Sequence, residues 1–150
     1  MSPVPLQLVL QQEFHLNLSL SATASVIRMF DRRRCGALDR DGWRETHDFL
    51  KRVRANFEYF DTSPRSGTLT REEVREALKH NGVDLEGPVF ERCFVSFDPN
   101  GTGSMGLAEF VILSVFLETS RATFRAFDKQ DAGTVTLDMQ QFIYAAANMR

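Results

Sequence analysis

Four copies of one short pattern govern what this chain can fold into. A phenylalanine stands directly before an aspartate at Phe30-Asp31, Phe60-Asp61, Phe97-Asp98 and Phe127-Asp128. Five or six residues beyond each aspartate comes a glycine: Gly36, Gly67, Gly103 and Gly133. Two residues past each glycine is an apolar side chain: Leu38, Leu69, Met105 and Val135. Recurrence of this kind marks an internal repeat, one small structural unit copied along the chain.

Helical patterns fill the spaces between the copies. Ala22, Val26, Ile27 and Phe30 make one helical face before the first copy, and Trp43, Leu50, Val53, Phe57 and Phe60 make another after it. Thr70 followed by Glu73 reads as a capping box that opens a helix through Val74, Ala77 and Leu78. Pro88 starts the next, with Val89, Phe90, Cys93, Phe94 and Phe97 at helical spacing. The run Phe110–Leu117 is apolar nearly all round, which marks a helix buried on several sides. Asp138 can cap a last helix carrying Met139, Phe142, Ile143 and Ala146. No stretch alternates long enough for a free-standing strand, so the fold class is all-α.

Helix, short loop with a central glycine, apolar residue, helix: the repeat resembles the EF-hand. Its calcium loop has 12 residues with oxygen ligands at positions 1, 3, 5, 7, 9 and 12, and glycine at position 6, where the chain turns sharply. Residue 8 makes a short β-bridge to a neighbouring loop, so loops work in pairs. Successive Phe-Asp starts lie 30, 37 and 30 residues apart. A 12-residue loop leaves about 18 residues in each shorter gap, room for one helix of roughly 27 Å and no linker. The helix leaving the first loop therefore enters the second, and the third and fourth are joined in the same way. Only the longer gap holds a turn, at residues 80–88. The second and third loops can then pair, bridging Leu69 to Met105, while the first and fourth have no internal partner.

Two shared helices around one proper loop pair are similar to the penta-EF-hand family. Ser25-Val26-Ile27-Arg28-Met29-Phe30-Asp31 and Phe124-Arg125-Ala126-Phe127-Asp128 are typical of it. The resemblance covers residues 19–150 and aligns them with that family's second to fifth hands, with loops near 31–42, 61–73, 98–109 and 128–139. Residues 1–18 read as a remnant of a first hand or an N-terminal extension: Pro5–Leu18 resembles a first hand's exit helix, whose loop would precede Met1. The resemblance implies a dimer, homo- or heteromeric, formed through the last hand. Val135 would supply the β-bridge, and Phe142, Ile143 and Tyr144 the apolar contact, against the alternative that these residues pack within the chain.

The ligand positions are unequal. Loop 31–42 places Arg33, Cys35 and Gly42 at positions 3, 5 and 12, and Arg32-Arg33-Arg34 sets three cations where an ion should sit. That triplet could dock an acidic partner or be simply a solvated loop. Loop 61–73 is one residue too long. Counting back from Gly67 gives Thr62, Pro64, Ser66 and Glu73 at 1, 3, 5 and 12, whereas counting from Asp61 gives Arg65 at 5. Loop 128–139 offers Gln130, Ala132 and Met139 at 3, 5 and 12 and is expected to be metal-free. Only loop 98–109 keeps oxygens at most of these positions: Asp98, Asn100 and Thr102 at 1, 3 and 5, the carbonyl of Ser104 at 7, and the carboxylate of Glu109 at 12. Gly106 leaves position 9 to water. Two carboxylates make a weakly charged site, so Ca²⁺ affinity is expected near ~10⁻⁵–10⁻³ M, against a reading in which Asp98 and Glu109 only cap helices.

Other chemistry is thin. The formal net charge of −2 over 150 residues does not suit nucleic-acid binding. His15, His47 and His80 are scattered, Cys35 and Cys93 form no zinc spacing, and no phosphate loop or nucleophile elbow occurs. Cys93 shares a helical face with Phe90, Phe94 and Phe97, which suits packing better than nucleophilic chemistry. No apolar run approaches the roughly 20 residues of a membrane span. These features point away from an enzyme and toward a cytoplasmic calcium-binding sensor or adaptor with weak or largely vestigial sites, acting on a target protein or peptide. The family habit leaves room for Ca²⁺-dependent association with a membrane surface. The second reading is a metal-independent regulatory subunit of a dimer, for example with a calpain-like partner.

Overall fold

The structure is a computed structural model that describes residues 1–62 and 66–149. Its described residues form seven helices and one two-stranded sheet, and they divide into two compact units, Met1–Leu113 and Ser114–Arg150.

In the first unit, α1 (Pro3–Phe14) opens on proline, which forfeits no intrahelical hydrogen bond in a first turn. Leu6, Leu10 and Phe14, one turn apart, are buried, and α1 packs on α2 (Leu20–Phe30). Ser19 caps α2, accepting from Ala22 N at 3.1 Å. The next helix, α3 (Arg40–Phe60), starts at Asp39, whose carboxylate accepts from Gly42 N at 2.8 Å. It runs unbroken for 21 residues and buries Thr46, Phe49, Leu50, Val53 and Phe57. Arg54 of α3 donates to the Phe14 carbonyl and lies over the Phe14 ring, tying down the end of α1.

The predicted capping box opens α4 (Arg71–His80): Thr70 Oγ1 accepts from Glu73 N at 3.2 Å and Glu73 Oε1 from Thr70 N at 2.9 Å. After the turn at residues 81–86 comes α5 (Gly87–Ser96), with Phe90 and Phe94 buried. Strands β1 (Thr68–Thr70) and β2 (Ser104–Gly106) pair antiparallel, with Leu69 opposite Met105. Both side chains are fully buried, as are Val26, Ile27, Val74, Phe94 and Phe110 of the same unit. Full burial of apolar side chains of this size is worth roughly 1.5–3 kcal/mol each, so the bridge residues are also core residues.

The division between units falls inside α6 (Leu107–Phe127), again an unbroken helix of 21 residues. Both long helices thus fill the 30-residue gaps without a linker, as the spacing requires. In the second unit α7 (Met139–Asn148) is capped by Asp138, which accepts from Gln141 N at 2.8 Å while Gln141 Oε1 accepts from Asp138 N at 3.0 Å. The ring of Tyr144 meets Phe127 edge-on at 6.5 Å.

Two expectations about the loops change. The first loop was expected to lack an internal partner, yet Leu38 N donates to the Met1 carbonyl at 2.8 Å and the Met1 nitrogen donates to the Leu38 carbonyl. Residue 8 of this loop is therefore bridged to the backbone immediately ahead of α1. The fourth loop is longer than a 12-residue count allows. Helix caps Asp39 and Thr70 follow their loop glycines by three residues and α6 begins four residues after Gly103, whereas Asp138 follows Gly133 by five. Gln141, not Met139, consequently stands three residues past the cap, where the last ligand of a calcium loop would be.

Candidate metal loops and an exposed apolar face

All four loops close in the same way, by their own first aspartate. Asp31 accepts from Gly36 N at 2.6 Å, Asp61 from Gly67 N at 2.9 Å, Asp98 from Gly103 N at 2.9 Å and Asp128 from Gly133 N at 2.8 Å. Each of these glycines has φ between +77° and +78° or, for Gly103, +74°, a region that side chains with a Cβ avoid. The Phe-Asp…Gly repeat is thus a folding device: the carboxylate ties off the turn that the glycine permits.

The second loop settles its own register. Ser66 N and Oγ both approach Asp61 Oδ1, at 3.1 and 3.4 Å, and Ser66 Oγ donates to the Thr68 carbonyl at 3.0 Å. Asp61 is therefore position 1 and Ser66 position 5, and the extra residue is taken up between them. Pro64 and Arg65, weighed above as ligand positions, lie outside the described residues. Glu73, at the loop's end, spends both oxygens on backbone N–H groups, those of Thr70 and of Thr62.

The third loop repeats that wiring within the expected length. Thr102 N and Oγ1 both donate to Asp98 Oδ1 at 3.0 Å, and Thr102 Oγ1 lies 3.0 Å from the Ser104 carbonyl oxygen. Asp98, Thr102 and the Ser104 carbonyl are thus gathered, with Asp98 almost wholly buried. Asn100 and Glu109 remain at the surface. Asp98 is held below the ordinary carboxylate value, chiefly by the N–H of Gly103; burial opposes this, and the Thr102 donors and the more distant Arg71 charge add to it. The donors are hard oxygens throughout, the chemistry that suits Ca²⁺, and Asp98 and Glu109 are the carboxylates among them. No cluster of three or more His, Cys, Asp or Glu suited to a metal occurs among the described residues. A cation here would depend on the amide, hydroxyl and carbonyl oxygens as much as on charge.

The first loop has filled its own ligand positions with cations and a thiol. Arg33 pairs with Asp39 at 3.4 Å and Arg32 with Glu45, both on exposed side chains. The Cys35 Sγ points at Asp31 Oδ1 from 3.7 Å. Asp31 is drawn below its ordinary value although burial pushes the other way, because the N–H groups of Gly36 and Cys35 prevail. By contrast, burial pushes the Cys93 thiol up, away from the thiolate form that reacts.

The second unit presents a different feature. Met139, Phe142, Ile143 and Tyr144 on α7 are 69%, 60%, 53% and 56% exposed. Met139, Phe142 and Ile143 fall at i, i+3 and i+4, one stripe of the helix. Val135, two residues past the loop glycine, is half-buried and forms no bridge among the described residues. Sequence reasoning found these positions and the Asp138 cap, but missed that this cap makes the fourth loop longer than 12 residues. The available signal was Asp138-x-x-Gln141, a second capping-box pattern.

No family model matches the chain. Among curated proteins it is 28% identical over 122 residues to peflin of Danio rerio, covering 81% of this chain and 45% of that protein. It is 26% identical over 124 residues to penta-EF hand domain-containing protein 2 of Dictyostelium discoideum, covering 83% and 60%. The chain spans about half the length of the curated relatives it matches. Among solved structures, a homolog of programmed cell death 6 protein from Leishmania major Friedlin superposes with a TM-score of 0.72 at 29% identity, over 89% of this chain and 76% of that one.

Proposed function

We propose, from the premise that this chain is a member of the penta-EF-hand family, that it is a non-enzymatic calcium-responsive adaptor with one weak site, at Asp98–Glu109. The observation that carries the reading is the third loop: oxygen donors at positions 1, 3, 5, 7 and 12, with Asp98, Thr102 and the Ser104 carbonyl already gathered. Asp98, Asn100, Thr102, Ser104 and Glu109 would hold the ion. A bound Ca²⁺ supplies a divalent charge that draws a loop's two ends together and re-angles its flanking helices. This chain's own contribution is the preformed turn and the bridge from Met105 to Leu69, through which the third loop is joined to the second.

Association with another subunit through α7 and Val135 belongs to the same reading. An exposed stripe of large apolar residues on one helix is the kind of surface that oligomers cover. The partner is a copy of this chain or a related one, and the target is a protein or peptide of the cytoplasm. No described helix is long and apolar enough to cross a membrane.

A specific observation favours the second reading, a metal-independent regulatory subunit. Every loop is closed by an aspartate accepting backbone N–H groups, with no ion needed to hold the turn. Calorimetric titration of metal-stripped protein with Ca²⁺, and with Mg²⁺ as control, separates the two. The first reading expects one weak site that Glu109→Gln abolishes. Folded protein that gives no heat up to millimolar Ca²⁺ refutes it in favour of the second.

A further inference from the structure

We infer that Arg71, the first residue after the second loop's cap, is a tethered cation that competes with Ca²⁺ for Asp98 and so lowers the affinity of the third loop, an inference that rests on the calcium reading of that loop. Strand pairing brings Arg71 there. Thr70 stands opposite Ser104, so Arg71 begins α4 at the end of β1 that faces Gly103 and Ser104. Gly103 supplies an N–H to Asp98 at 2.9 Å, and Ser104 supplies the carbonyl already gathered beside it.

The side chain then lies along α5. Its guanidinium sits 4.7 Å from the centroid of the Phe94 ring and pairs with Glu91. Glu91, Phe94 and Asp98 fall at i, i+3 and i+7, a stripe that runs down α5 to the first ligand of the third loop. From Phe94 to Asp98 this stripe descends only about 6 Å, at about 1.5 Å per residue. Two contacts hold the cation in place, and Glu91, a further turn from Asp98, offsets its charge only in part. The electrostatics agree: Asp98 is held below its ordinary value first by the Gly103 N–H, against burial, and then by the Thr102 donors and the Arg71 charge. A positive charge that stabilises this carboxylate repels a second one arriving at it, and does so twice as strongly for a divalent ion. Arg75 provides the internal contrast. It too lies over an α5 ring, 5.4 Å from the centroid of Phe90, and donates to the Leu85 carbonyl at 3.3 Å, at the end of α5 away from Asp98.

Calorimetric titration of metal-stripped protein with Ca²⁺ and with La³⁺, in dilute and concentrated KCl, tests this, with the melting temperature of each metal-free protein read alongside. Arg71→Gln should tighten Ca²⁺ binding about two- to fivefold in dilute salt, the range over which one charge acts at a protein surface. The gain should shrink in about 1 M KCl, where the screening length falls to ~3 Å. For La³⁺ it should be about 1.5 times as large on a logarithmic scale, because the repulsion scales with the charge of the ion. Arg71→Lys keeps the charge and should stay near wild type. Arg75→Gln loses a like contact with α5 and should bind as wild type does, although its metal-free form melts lower. Should Arg71→Gln not fold, Glu91→Gln leaves Arg71 uncompensated and should weaken binding instead. Wild-type binding, with a gain absent from Arg71→Gln, equalled by Arg75→Gln or indifferent to salt, overturns the inference and leaves the calcium site standing. Absence of binding by wild type and by every variant removes the site and the inference together.

Discussion

Leu69→Ala tests the bridge that joins the second and third loops. Leu69 and its partner Met105 have no solvent exposure, so truncation removes buried carbons and leaves a cavity. Leucine-to-alanine changes in such places cost about 2–5 kcal/mol. Taking ~3 kcal/mol for a fully enclosed site, and ~2–4 °C per kcal/mol for a domain of this size, the melting temperature should fall by ~6–12 °C. Val135 is the matching residue of the fourth loop, half-buried and unbridged among the described residues. Truncating it exposes or loses only part of two methyl groups, below about 1 kcal/mol at ~0.8 kcal/mol per buried carbon. Differential scanning calorimetry on dilute, metal-stripped protein reads both. Met105→Ala and the double variant complete a cycle whose coupling should reach about 0.5–3 kcal/mol, because the two side chains share one cavity. Costs that add fully, or a Val135→Ala variant as damaged as Leu69→Ala, would refute the assignment of the paired loops.

Phe142→Asp should leave the subunit's melting temperature nearly unchanged, since the ring is mostly exposed, while reducing the mass by sedimentation equilibrium from dimer to monomer; an unaltered dimer mass counts against α7 as the interface. Asp98→Asn should destabilise the metal-free protein at neutral pH, because asparagine keeps one acceptor and loses the charge that Gly103 N–H stabilises. The folded value of Asp98 lies below the ordinary 3.8, so its contribution is complete above that value and is lost as pH falls through the lower, folded one. Chemical denaturation should therefore show the gap between wild type and Asp98→Asn constant near neutrality and closing in acid; a gap that widens in acid would reverse the sign and reject the hydrogen-bond account.

Much of this architecture was legible because the repeat carries both register and length. The spacing of Phe30, Phe60, Phe97 and Phe127 yielded the long helices, and the glycine-plus-two rule placed Leu69 opposite Met105. Less legible was pairing made outside the repeat. The pairing of Leu38 with Met1 uses backbone atoms alone, which leave no trace in residue type. The length of the fourth loop was hidden because a 12-residue template fits as far as Met139, although the cap is Asp138 with Gln141. Ligand identity could be read from residue type, but ligand posture could not: Glu73 and Glu109 hold corresponding places in their loops, and only coordinates separate a glutamate spent on two N–H groups from one lying over a bare glycine.

The continuity of α3 has a mechanical consequence. One end of this helix is the cap of the first loop, at Asp39, and the other delivers Asp61 to the second. A 21-residue helix is a rod of roughly 30 Å with no flexible joint. A tilt of about ten degrees at one end carries the other some 5 Å sideways, about one helical turn. The arginine-filled first loop rides on the near end of this rod, paired to it through Arg33–Asp39 and Arg32–Glu45, so a small tilt arising near Asp61 would be delivered to that loop as a sideways displacement.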